Sequence, residues 1–77
     1  MIVKLINNKI YSVSKVSIQI TKMYLKHVEI AKNDILKNEA TAISLINVRG
    51  ENNQPEKIVI RNNSITEIIH GYAIHLE

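Results

Sequence analysis

Met23-Tyr24-Leu25-Lys26-His27-Val28-Glu29-Ile30-Ala31-Lys32-Asn33-Asp34-Ile35-Leu36-Lys37-Asn38-Glu39-Ala40 decides between an all-β and a mixed fold. Read as a helix, it places Tyr24, Val28, Ala31 and Ile35 on one face, with Lys22, Lys26, Glu29 and Lys37 largely outside that face. Read as strands, Met23–Leu25 and Val28–Ile30 continue a meander, and Asn33-Asp34 turns the chain into a further arm. Periodicity alone does not separate the two. Ile and Val dominate the apolar residues and Phe and Trp are absent, and this bias of stiff β-branched side chains, together with the family resemblance given below, favours strand over residues 23–30, with the helix as the alternative.

Working outward, Ile10 to Ile20 contains a period-2 run in which Val16, Ile18 and Ile20 face one way and Ser17, Gln19 and Thr21 the other. Tyr11 and Val13 have the opposite parity, which demands a bulge or bend near Ser14-Lys15. Upstream, Ile2–Ile6 is a short strand, and Asn7-Asn8-Lys9 tolerates the left-handed geometry of a hairpin turn. Downstream, the strand over 42–48 leads into the loop Arg49-Gly50-Glu51-Asn52-Asn53-Gln54-Pro55. Lys57–Arg61 then returns as the second arm of an antiparallel hairpin. Ser64-Ile65-Thr66-Glu67 matches a capping box and predicts a helical turn ending at Gly71. No internal repeat or linker is apparent. The expectation is one all-β domain over 1–77, a small barrel of five to six short antiparallel strands near 2–6, 10–20, 23–30, 41–48, 56–61 and 68–75.

With 77 residues, 45% hydrophobic and 22% charged, the chain is one small globular unit, which excludes enzymes with separate cofactor and substrate domains. The uncharged stretches are too short to cross a bilayer. Cysteine is absent and no apolar signal segment follows Met1, so a cytoplasmic location is expected. A chain of this size buries only about 60% of its unfolded surface, and exposed strand edges would gain from pairing between subunits; self-association into a homo-oligomer is therefore expected. The net charge of +3 fits a polyanionic partner.

Reactive chemistry is not indicated. His70 and His75 are spaced off any common face, and His27 has no neighbouring ligand, so no metal site is predicted. Ser12-Val13-Ser14-Lys15 matches an S-x-x-K pattern without the further motifs that such enzymes need. The acids are scattered, and Gly50 and Gly71 are too isolated to cradle phosphate. No cofactor is expected, and binding rather than catalysis is the predicted class. Single-stranded nucleic acid is held by stacking and cationic grooves, for which Tyr11, Tyr24, Tyr72, Arg49, Arg61 and the lysines, Lys22 among them, are the available groups.

The order of elements, from Ile2-Val3-Lys4-Leu5 through Asn7-Asn8 into a long bent strand and on to Ile58-Val59-Ile60-Arg61-Asn62-Asn63-Ser64-Ile65, resembles the Sm-like family. That resemblance implies a five-stranded barrel that assembles into rings and binds short single-stranded RNA. Ile60–Ile65 is similar to the family's second motif, whose Arg stacks on a base, which would make Arg61, Asn62 and Asn63 RNA-binding residues alongside Tyr24 and Lys22. Asn62 stands where the family has Gly, and the family's Asp-x-x-x-Asn loop has no counterpart around Gln19 to Leu25. A generic SH3-like barrel acting as a protein-binding or phage-type accessory module is the alternative.

Overall fold

The computed structural model describes residues 1–11 and 13–77. Ser12 lies outside them, and with it one position of the expected 10–20 strand and the first residue of the S-x-x-K pattern. The described residues form strands only: β1 (Ile2–Ile6), β2 (Lys9–Tyr11), β3 (Ile18–Tyr24), β4 (His27–Ala31), β5 (Asp34–Asn38), β6 (Ile43–Arg49), β7 (Lys57–Arg61), β8 (Ser64–Ile68) and β9 (Ile74–Leu76). No helix among them is long and apolar enough to cross a membrane. The sheets are β1-β4-β7, β2-β5-β8 and β3-β6-β9, and every pairing is parallel. The chain therefore visits three sheets in turn and repeats the circuit, a β-solenoid of three coils.

Its register exposes a repeat. Ile2 lies opposite His27, Lys9 opposite Asp34 and Ile18 opposite Ile43, each an offset of 25 residues. Between the second and third coils the offset becomes 30 in the first two sheets, as in His27 opposite Lys57 and Asp34 opposite Ser64, and the five-residue excursion Glu51–Pro55 accounts for that difference; in the third sheet it is 31, as in Ile43 opposite Ile74, one further residue entering between β8 and β9. Aligned this way, Val3-Lys4-Leu5-Ile6-Asn7-Asn8-Lys9-Ile10, Val28-Glu29-Ile30-Ala31-Lys32-Asn33-Asp34-Ile35 and Ile58-Val59-Ile60-Arg61-Asn62-Asn63-Ser64-Ile65 are three copies of one strand-corner-strand unit. The expectation of no internal repeat is overturned, because the copies share little beyond apolar alternation and one asparagine.

The corner between the first and second sheets uses one left-handed residue in every coil: Asn7, Lys32 and Asn62 take φ of 61°, 56° and 55° at equivalent positions. Two further equivalent sets lie inside strands, Lys37 and Glu67 within β5 and β8 and Lys22 and Asn47 within β3 and β6. Such a residue lets the chain place two successive side chains outward before the next turns in, which at the corner redirects it into a new sheet. A two-residue type I′ hairpin would need two positive φ values in succession, and Asn8, Asn33 and Asn63 do not supply the second. Instead their side chains stack inside the corner. Asn33 Oδ1 accepts from the Asn8 N–H and Nδ2, each at 3.0 Å. Asn63 Oδ1 accepts from the Asn33 N–H at 3.0 Å and Nδ2 at 2.9 Å. Asn38, fully buried, fastens another corner by donating Nδ2 to the carbonyls of Lys15, Ala40 and Thr41 while accepting from the Ser17 hydroxyl.

The core lies in the middle coil. Leu25, Val28, Ile30, Ile35, Ala42 and Ile43 are fully buried, whereas the counterparts of Val28, Ile30 and Ile35 in the outer coils, Val3, Leu5, Ile10, Ile58, Ile60 and Ile65, are half-buried, having a neighbouring coil on one side only; the first coil adds Ile18 and Ile20 to the buried core. The Cα envelope measures 38 × 21 × 13 Å, and its thin dimension is that of a few strands stacked about 4.8 Å apart.

Several expectations change accordingly. The all-β class and the strands over 2–6, 41–48 and 56–61 stand, as does strand rather than helix over 23–30. The bend at Ser14-Lys15 is present. The antiparallel pairing is replaced by parallel pairing, and the three sheets do not close on one another, because successive strands turn corners instead of reversing. Residues 10–20 split between β2 and β3, and 68–75 contributes only β9 after the end of β8. Ser64–Glu67 is strand, with Glu67 left-handed at 56°, where a capping box would need a helical turn. The segments flanking Gly50–Pro55, β6 and β7, belong to different sheets and form no hairpin.

Candidate nucleic-acid interface

Two of the five predicted RNA-binding residues come together. Lys22 and Tyr24 end β3, and the parallel register sets Tyr24 opposite Arg49 at the end of β6. Lys22 and Asn47 are both left-handed, each with φ of 54°, so both are swung outward at this edge. Lys22, Tyr24, Asn47 and Arg49 line an open cleft of about 300 Å³. Tyr24 is 70% exposed. The Arg49 guanidinium leans on its own strand, donating to the Val48 carbonyl at 3.2 Å and to Asn47 Oδ1 at 3.4 Å. Neither Lys22 nor Arg49 is in an ion pair with a carboxylate among the described residues. Two cations and an open ring face therefore share one shelf with an amide.

The other predicted residues sit elsewhere. Arg61 ends β7 in a different sheet and donates to Glu29 Oε2 at 2.9 Å. That hydrogen bond, reinforced by the charges of Arg61, Lys4 and His27, outweighs desolvation and holds the Glu29 carboxyl below its ordinary range. Asn62 is exposed at a left-handed corner. The Asn63 side chain is engaged at both ends, accepting from Asn33 and donating to the Ile30 carbonyl at 3.0 Å. The residues that carry the Sm-like resemblance, Ile60–Ile65, are thus the third copy of the repeated corner.

The remaining tyrosines are dispersed. Tyr11 donates its hydroxyl to Asp34 Oδ2 at 3.4 Å, and Tyr72 makes an edge contact with the His75 ring at 5.4 Å between centroids. Asn47 was not among the residues expected in the site. Its equivalence to Lys22, 25 positions earlier, is the sequence signal that would have placed it there. No protein-family model, curated protein or solved structure matches the chain.

Proposed function

We propose that the protein is a non-enzymatic binding module that takes single-stranded RNA along the Lys22–Tyr24–Asn47–Arg49 cleft. The observation that carries this reading is an exposed tyrosine in register with an arginine that has no carboxylate partner among the described residues, beside a lysine in the same condition. Phosphates would lie on Lys22 and Arg49, a base would stack on the Tyr24 ring, and Asn47 would offer a donor and an acceptor to a base edge. The Sm-like reading assigns the stacking role to Arg61 instead, and Arg61 must leave Glu29 to perform it.

Binding of fluorescent oligo-U, oligo-A and mixed RNA across a salt series tests the reading. Tyr24→Ala is expected to cost about 1–3 kcal/mol at every salt concentration, whereas Lys22→Ala should lower the salt slope by about one unit. If Arg61→Ala costs more than Tyr24→Ala, the site belongs at the β7 corner. Absence of binding to all three RNAs at low salt would refute the RNA reading and leave the protein-interaction alternative in front.

A further inference from the structure

We propose that the C-terminal end face of the solenoid binds the N-terminal end face of a second copy, in the register by which β4 follows β1, so that chains stack head to tail. The first argument is hydrogen bonding. Within the chain, Asn7 N–H donates to the Ala31 carbonyl and Lys32 N–H to that of Arg61, both at 3.2 Å. Asp34 N–H donates to the Asn8 carbonyl and Ser64 N–H to that of Asn33, both at 2.8 Å. The asparagine ladder runs in the same sense, from the Asn8 N–H to Asn33 Oδ1 and from the Asn33 N–H to Asn63 Oδ1. One more step of each series would join Asn62 N–H to the Ile6 carbonyl, Lys9 N–H to the Asn63 carbonyl, and Asn63 N–H to Asn8 Oδ1. The corner groups on one end face are thus donors and acceptors in the order that the other end face answers.

Side chains agree with that register. The N-terminal face holds a cavity of about 400 Å³ whose apolar lining is Leu5, Ile10 and Ile18. The same step places Ile60, Ile65 and Ile74 over those three residues. Ile60 and Ile65 are half-buried and Ile74 is 43% exposed, so a stacked copy would continue the interior that the middle coil already shows. Charges are compatible as well: Lys57 would meet Ile2, Val59 would meet Lys4, and Arg61 would meet Ile6, with no like-charged pair opposed. An end face spanning 38 × 21 Å matches the roughly 800 Å² per partner of a standard interface. The two faces differ, so the contact is heterologous and assembly continues beyond a dimer.

Sedimentation velocity on the 77-residue chain, from micromolar to millimolar concentration, should show a mass that keeps rising past two copies. The register is tested at the rung His75 would share with Gln19 of the next copy. Inside one chain these residues are separated by Ser44, so charging both leaves the fold intact, which the far-ultraviolet CD spectrum and thermal melt verify. His75→Lys with Gln19→Lys should weaken association. His75→Lys with Gln19→Glu should restore it, the two double variants differing about 2- to 30-fold in association constant. A monomer at all concentrations, an assembly that stops at two, or equal association of the two double variants would overturn the proposal.

Discussion

Replacing Asn33 by Ala tests whether the corner ladder holds the coils together. Asn33 is 1% exposed, and its side chain accepts from the Asn8 N–H and Nδ2 and donates to the Leu5 carbonyl at 3.0 Å and to Asn63 Oδ1. Asn8 is exposed, so its donors regain water and their loss costs little. Asn63 Oδ1 still receives the Asn33 backbone N–H. The bonds from Nδ2 to the Leu5 carbonyl and to Asn63 Oδ1 are lost, each worth about 0.5–1.5 kcal/mol net. Together they give an expected loss of about 1–3 kcal/mol. That is a large part of the stability of a domain this small. Urea denaturation followed by CD measures it, with Gln54→Ala in the exposed loop as the control. A loss below about 0.5 kcal/mol, the level of an ordinary surface change, would refute the reasoning and mean that strand pairing alone fixes the corner.

Lys32 carries a Cβ at φ 56°, so Lys32→Gly should raise the unfolding free energy by up to about 1 kcal/mol in urea denaturation, whereas Lys32→Val should lower it by more. Because the Glu29 carboxyl titrates below its ordinary value in the fold, it adds stability above its unfolded-state value, and this is lost as pH falls through the depressed one. The stability difference between the protein and Arg61→Ala should therefore shrink on acidification, and a difference independent of pH would show that the ion pair contributes nothing. Deleting Glu51–Pro55 joins Gly50 to Glu56 as Leu25 is joined to Lys26 one coil earlier; a β spectrum retained within about 1 kcal/mol of the original stability is expected. Loss of folding would show that the excursion is part of the coil.

Strand positions were legible where apolar residues alternate. Val28 and Ile30, or Ile43 and Leu45, declare themselves by period 2, and the β-branched bias that, with the family resemblance, favours strand over 23–30 agrees with β3 and β4. Pairing partners were not legible, because Asn7-Asn8 and Asn62-Asn63 serve a hairpin and a solenoid corner equally well by residue type. Only the φ of the second asparagine separates them, and that is set by stacking between coils. Lys32-Asn33 concealed the repeat further, a lysine being an unusual left-handed residue. At the cleft, Tyr24 and Lys22 were readable as single candidates. Their association with Arg49 and Asn47 required the offset of 25 residues that the concealed repeat sets.

That offset also dictates how such a chain can change length over evolutionary time. An insertion of one full circuit adds a coil whose strands, corners and asparagine all find neighbours of the kind already present, so whole-coil duplication or loss is structurally quiet. Any other length breaks the phase of every strand that follows unless the surplus leaves the wall. Glu51–Pro55 does leave it: Gly50 turns so tightly there that a Cβ would collide with the Gln54 carbonyl, and the third coil resumes in phase at Lys57. Growth in a molecule of this kind is therefore quantised, with fractional additions extruded as loops at the corners.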